Sequence, residues 1–232
     1  IKMHPWADQA RFARSGGEAN AIAVRLARAY SKRQKIAFCG YHGWHDWYLA
    51  TNLNKKNNLN DHLLPGLKTG GVLKELNNSI HPFKYNDFNG LRKLIKKNPD
   101  IGIIKMEVIR NEEPKNDFLK KVRELADKNG IALIFDECTS GFRENYGGIH
   151  LKYNIEPDIV IYGKTIGNGY ALTAVVGKQS VMDAAQKTFI SSTFWTERIG
   201  PSAALKTLEI MNRVKSWEII TQKGKKVQDG WN

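Results

Sequence analysis

Short, uniformly apolar runs along this chain alternate with longer segments whose apolar residues recur at three- and four-residue spacing. Ala19, Ile22, Ala23, Leu26, Ala27 and Tyr30 keep that spacing, which predicts a helix over 18–32 with Ser15-Gly16-Gly17 as the turn and cap before it. Lys35-Ile36-Ala37-Phe38-Cys39 predicts a short strand ended by Gly40. A short helix is expected over 88–97, with Asp87 as its cap, and a strand over 101–106. Residues 117–129 carry helical spacing through Phe118, Val122, Leu125 and Ala126, and Gly130 stops the helix. The unbroken apolar run 131–135 is what a strand buried on both faces requires, and 158–162 and 174–177 read the same way. Residues 199–214 read as a helix, and the tail after Val214 as the start of a helix and linker. Residues 51–82 show no period and predict an irregular excursion. Strands alternating with helices predict an α/β fold, a mostly parallel central sheet flanked by helices.

Composition narrows the class. The 232 residues are 41% hydrophobic and 25% charged, an ordinary globular balance. No uncharged apolar stretch approaches the roughly 18 residues of a membrane span. Cys39 and Cys138 lie far apart and give no disulfide framework, so a reducing, cytoplasmic compartment is expected. The opening Ile1-Lys2-Met3-His4-Pro5 has no apolar signal region and does not begin with Met, which suggests part of a longer chain. A formal charge of +13 raises the question of a nucleic-acid partner. The basic pairs Lys55-Lys56, Lys96-Lys97, Lys120-Lys121 and Lys225-Lys226 are scattered and not interleaved with aromatics, so none is expected. No metal site is expected either.

Four segments carry candidate chemistry. Asp136-Glu137 closes a strand, and ligands of open α/β sheets sit beyond the carboxyl ends of the strands. Gly163-Lys164-Thr165-Ile166-Gly167-Asn168-Gly169 follows another strand. A lysine among glycines can approach a ligand closely, and partial burial would favour the neutral amine that attacks an aldehyde. A nucleotide-binding P-loop would need a glycine where Asp158 stands. Ser15-Gly16-Gly17-Glu18-Ala19 opens a helix, where exposed N–H groups and the helix dipole favour an anion; a plain turn and cap is the equal alternative. Gly40-Tyr41-His42-Gly43 puts an aromatic ring at a strand end, where it can stack on a planar ligand.

In this order and spacing, across 11–211, the segments resemble the class III pyridoxal-phosphate (PLP) dependent aminotransferases, most of all the glutamate-1-semialdehyde aminomutase branch. The matching blocks are Ser15 to Ala19, Tyr41-His42-Gly43, Asp136-Glu137-Cys138-Thr139-Ser140-Gly141-Phe142-Arg143 and Lys164 to Gly169. The resemblance implies the large domain of fold-type I PLP transferases over 1–214, without part of its N-terminal segment, and the start of a C-terminal region over 215–232. It implies Lys164 as the Schiff-base lysine and proton carrier, and Asp136 as the partner of the pyridinium nitrogen. Gly16 and Gly17 would hold the cofactor phosphate through backbone N–H groups, Tyr41 would stack on the ring, and Glu107 would lie near it. Thr193 would reach the phosphate of a neighbouring subunit in a homodimer. The implied activity is that of an aminotransferase or aminomutase acting on small-molecule amino donors and acceptors. A PLP-binding domain without turnover and a basic polyanion-binding module are the alternatives. Departures from the family pattern are Gly17 for Ser or Thr, Cys138 for Val, Asn168 for Gly, Val108 for Pro, and Glu197-Arg198-Ile199 for a Gly-Asn-Pro-like turn. His42, His45 and Arg143 receive no role.

Overall fold

A computed structural model describes residues 2–231. The strands are β1 (Gln9–Ala13), β2 (Lys35–Cys39), β3 (Ile80–Pro82), β4 (Ile101–Met106), β5 (Ala132–Glu137), β6 (Ile159–Tyr162) and β7 (Thr173–Gly177). The helices are α1 (Gly16–Ser31), α2 (Asp46–Leu49), α3 (Thr51–Asn54), α4 (Phe88–Lys97), α5 (Phe118–Asn129), α6 (Gln179–Met182), α7 (Ile199–Val214) and α8 (Ser216–Trp231). The strands form one sheet in the order β1-β7-β6-β5-β4-β2-β3. Pairings from β3 through β6 are parallel, and β7 runs antiparallel to both β1 and β6.

Every residue of β4, β5 and β6 is buried, which explains why these strands read as continuous apolar runs rather than alternating ones. Neighbouring residues serve opposite faces. Ile103, Ile134, Ile161 and Val175 pack with Ala19, Ala23, Leu26 and Ala27 of α1. Ile104, Leu133, Phe135 and Val160 pack with Leu91 of α4, Val122 and Ala126 of α5, and Met211 of α7. Each fully buried Ile or Leu contributes roughly 2 kcal/mol.

Parallel strands end on a common edge. Cys39, Met106, Glu137 and Tyr162 close β2, β4, β5 and β6 there. Because β7 is reversed, its first residue Thr173 lies at the same edge, opposite Ala13 at the end of β1. The turn that opens α1 therefore starts beside the loop carrying Lys164.

Several expectations shift. The strand expected to close on Asp136-Glu137 does so, with β5 starting at Ala132 rather than Ile131. β1 gave no signal, because this edge strand alternates half-buried and exposed residues such as Phe12 and only Ala13 is buried. The tract 51–82 contains α3 and the three residues of β3, whose Pro82 is tolerated because β3 is the last strand of the sheet. The tail is helical as far as Trp231. The four lysine pairs are exposed apart from half-buried Lys121, as solvated faces would have it.

One buried polar network locks the loop after β5. The Glu137 carboxylate accepts from Ile149 N at 2.6 Å, His150 N at 3.1 Å, Ser140 Oγ at 3.2 Å and His150 Nδ1 at 2.6 Å. His4 stacks on His150 at 5.6 Å and meets the Tyr162 hydroxyl at 2.6 Å. Glu137 is thus consumed in holding residues 138–150 and the N-terminal segment against the sheet. Removing a buried charged acceptor strands its donors. Glu137→Ala is expected to cost about 3 kcal/mol of stability in urea unfolding.

Candidate active site

Asp136 is a buried charged group at the shared edge. Its side chain is 4% exposed, and Oδ2 accepts from His42 Nδ1 at 2.9 Å while Lys105 Nζ lies 3.6 Å away. Oδ1 accepts from Cys138 N at 3.2 Å. Burial alone would raise the Asp136 pKa. The Lys105 ammonium and the His42 hydrogen bond outweigh burial and hold the carboxyl well below the usual carboxylate range. A fixed negative charge at a sheet edge suits a cationic ring nitrogen.

Lys164 follows β6 and Gly163. Its backbone is left-handed, with φ 42°, and Nζ donates to Thr139 Oγ1 at 2.8 Å. Asn168 is also left-handed, at φ 45°, a conformation asparagine tolerates where glycine is usual. The partial burial expected of Lys164 is absent, because the glycine-rich turn leaves the side chain exposed. It borders a cavity of about 310 Å³ that also touches Arg14, Gly16, Tyr170 and Thr173.

Gly16 and Gly17 begin α1, and Ser15 Oγ accepts from Glu18 N at 3.2 Å as the cap. The first N–H groups of a helix have no partner within it, so those of Gly16 and Gly17 are available to an anion. Contact is close on all sides. A Cβ on Gly16 would lie 3.5 Å from Cys138 Sγ, and one on Gly163 would lie 3.2 Å from the same sulfur. Cys138 thus joins the helix start to the lysine loop. A Cβ on Gly17 would lie 2.6 Å from His45 Nε2, so the imidazole fills the space a side chain would take there.

Tyr41 is half-buried after β2, and its N–H donates to Glu107 Oε2 at 2.9 Å. The same oxygen accepts from Arg110 at 3.1 Å. Burial raises the Glu107 pKa, against the Tyr41 N–H and Arg110. Glu107 therefore anchors the Tyr41 turn, and a cavity of about 360 Å³ lies beyond it toward Arg110 and His62. Thr193 is exposed in a segment that folds along β1, where Trp195 Nε1 donates to Phe12 O at 2.8 Å and the Arg14 guanidinium lies 3.9 Å from the Phe194 ring centre. The Glu197 carboxylate accepts from Ile199 N at 2.6 Å and Gly200 N at 3.0 Å, which starts α7 without a Gly-Asn-Pro-like turn.

The structure thus brings Gly16, Asp136 and Lys164 together around Cys138, with Tyr41 and Glu107 at the adjoining strand ends. It leaves Thr193 exposed in the segment along β1. Sequence reasoning passed over three residues here: His42, the partner of Asp136; Thr139, the partner of Lys164; and Lys105, a lysine inside an otherwise apolar strand. A charge breaking the run 101–106 was the one available signal for Lys105. Arg143 is exposed.

A lysine, an aspartate and a helix start thus lie at one edge of the sheet. The aminotransferase class-III family model matches residues 1–232, and the chain belongs to that family. It is 37% identical over 233 residues to the 3-aminobutyryl-CoA aminotransferase of Cloacimonas acidaminovorans, a match covering 97% of this chain and 52% of the relative. It is 37% identical over 225 residues to the glutamate-1-semialdehyde 2,1-aminomutase of Nitrosopumilus maritimus, covering 93% of this chain and 52% of the relative. The solved structure of the Sphingopyxis FumI protein in its PLP internal aldimine form superimposes with a TM-score of 0.85 at 26% identity, over 99% of this chain and 54% of that one. An omega-transaminase from Sphaerobacter thermophilus superimposes with a TM-score of 0.78 at 28% identity, over 90% of this chain and 51% of that one. The chain spans about half the length of these relatives. The family resemblance and fold class expected from the sequence are both borne out. No helix among the described residues is long and apolar enough to cross a membrane.

Burial lowers the pKa of both His42 and His4 to about 4, from 6.5. Lys105 adds to the effect on His42, and His150 to that on His4. The unfolded chain therefore takes up protons that the folded chain refuses. Stability from these groups is fully present above about pH 6.5 and falls as pH drops toward 4, by at most about 3 kcal/mol for each histidine. Urea midpoints measured between pH 7 and pH 4 should fall accordingly, and His42→Asn should flatten the decline.

Proposed function

We propose that this chain binds pyridoxal 5'-phosphate covalently through Lys164 and serves amino-group transfer. The observation that carries the reading is the convergence of an ionised, buried Asp136, the Lys164 amine and the Gly16–Gly17 helix start around one cysteine. This donor set fits the cofactor: an amine for its aldehyde, a carboxylate for its ring nitrogen and backbone N–H groups for its phosphate. Bound PLP supplies an aldehyde that condenses with amines and a ring that accepts electrons from the carbon beside them.

The chain's own groups divide the remaining work. Asp136 keeps a proton on the ring nitrogen, backed by His42. The Lys164 amine, held by Thr139, would hold the cofactor through its aldehyde carbon and would carry protons at the substrate carbon. Gly16 and Gly17 hold the phosphate, Tyr41 covers the ring face, and Glu107 fixes Tyr41. Thr193, exposed on its segment, reaches the phosphate site of a second copy, so the whole protein works as a homodimer in the cytoplasm. Residues 1–214 form the cofactor-binding domain, and 215–232 begin the region that follows.

The substrates are small amino donors and acceptors. Transfer between two molecules and migration within one place the same demands on Lys164 and Asp136. The relatives' names include both kinds, an aminotransferase and an aminomutase. Cofactor binding without turnover is a second reading of the same residues.

Absorbance of the purified chain with PLP, before and after borohydride reduction, tests the reading. A long-wavelength band trapped by reduction on Lys164, and lost in Lys164→Ala, is expected. Label spread over the exposed lysines would overturn it. Asp136→Asn, which leaves the buried Lys105 without its charge partner, is expected to lose about 3 kcal/mol of stability and, measured on the folded protein, to weaken PLP binding at least about tenfold.

A further inference from the structure

Lys105 helps to hold Asp136 ionised but has no contact with cofactor or substrate in the chemistry above. It sits in β4 with its side chain fully buried, where the pattern calls for an apolar residue. Its Nζ finds no hydrogen-bond partner among the described residues. Asp136 Oδ2, at 3.6 Å, is close enough to attract the ammonium but too far for a hydrogen bond. The other neighbours are the Trp47 ring, whose centre lies 5.9 Å from Nζ, the Cys138 thiol, which burial keeps protonated, and Glu107; burial lowers the Lys105 pKa, and Asp136 is the first of the groups that oppose it.

His42 faces the same oxygen with a different difficulty. Nδ1 meets Asp136 Oδ2 at 2.9 Å, and Nε2 meets the Cys39 carbonyl at 3.1 Å. Both partners are acceptors, whereas a neutral imidazole has one N–H. By hydrogen bonding alone, His42 would take a second proton and become a cation. Burial opposes that proton most, and the ammonium across the same carboxylate opposes it further.

We propose that Lys105 is a positioning residue: it supplies the single buried cation opposite Asp136, keeps His42 singly protonated, and so leaves His42 as a neutral prop and Asp136 as a full carboxylate toward the ring nitrogen. The proposal rests on the assignment of Asp136 to that nitrogen. Lys105 touches neither cofactor nor substrate and acts through the carboxylate. His42 donates its one proton to Oδ2 from behind, and Oδ1 keeps acceptor capacity beyond the Cys138 N–H. Without the ammonium, burial alone would oppose the proton that Cys39 O and Asp136 both invite, so His42 would take it up at a higher pH, and an imidazolium bonded directly to Oδ2 would there compete with the ring nitrogen for the same charge.

The experiment is an NMR pH titration of ring-labelled histidines in the cofactor-free chain, with His42 assigned through His42→Asn. Wild type and Lys105→Met are compared. His42 is expected to titrate near pH 4 in wild type and at least about one unit higher in Lys105→Met, with Lys105→Arg restoring the low value. A purely structural lysine would leave His42 where it was. An unchanged His42 in a folded Lys105→Met, or a wild-type His42 already titrating at 6.5 or above, would overturn the proposal. If Lys105→Met does not fold, Lys105→Gln takes its place, with the same rise expected and the same constancy fatal. PLP affinity of Asp136→Asn is measured alongside by fluorescence. Unchanged affinity there would sink the assignment of Asp136 while leaving the histidine result to judge the lysine on its own.

Discussion

A negative charge kept ionised at the buried end of β5 governs how this edge of the sheet is built. Taking a carboxylate out of water costs several kcal/mol even after relaxation. Asp136 meets that cost with a hydrogen bond from His42, an ion pair with Lys105 and the N–H of Cys138. Each partner constrains something else. His42 ties the turn after β2 to β5, Lys105 puts a charge inside an apolar strand, and the Cys138 contact sets the course of the chain leaving the sheet. The adjacent Glu137 solves the same problem separately, with two backbone N–H groups, a serine and His150. Two consecutive carboxylates thus have opposite duties, one held open at the site edge and one closed within the scaffold.

Most of the frame was legible because buried parallel strands and amphipathic helices write themselves into the sequence. β2, β4 and α7 fall where the apolar runs and spacing put them, and Asp87 and Gly130 act as the cap and stop they promised to be. The misses share one cause. β1 and β3 are short outer strands, and their residues are neither uniformly apolar nor cleanly alternating. Their existence is decided by the strands beside them.

The site was legible in part. Asp136 and Lys164 could be read because their motifs sit at strand ends, and Gly16 and Gly17 because they open a helix. Their supporting residues could not, since contacts across the sheet bring them together: His42 and Asp136 are 94 positions apart, and Lys164 and Thr139 are 25 apart. Pairings at that range leave no local trace. Lys105 left one, a cation in an apolar run, whose meaning needed the partner across the sheet.

The contact between Gly17 and His45 has a consequence for how this site can change. The imidazole occupies the volume that a serine or threonine side chain at 17 would fill, with Nε2 2.6 Å from where a Cβ would stand. A hydroxyl at 17 and an imidazole at 45 are therefore rival tenants of one space. A single exchange at 17 must displace the ring, and a single exchange at 45 leaves a gap above the helix start. The two positions therefore vary together: a side chain at 17 is accommodated only as the His45 ring swings aside or is itself replaced.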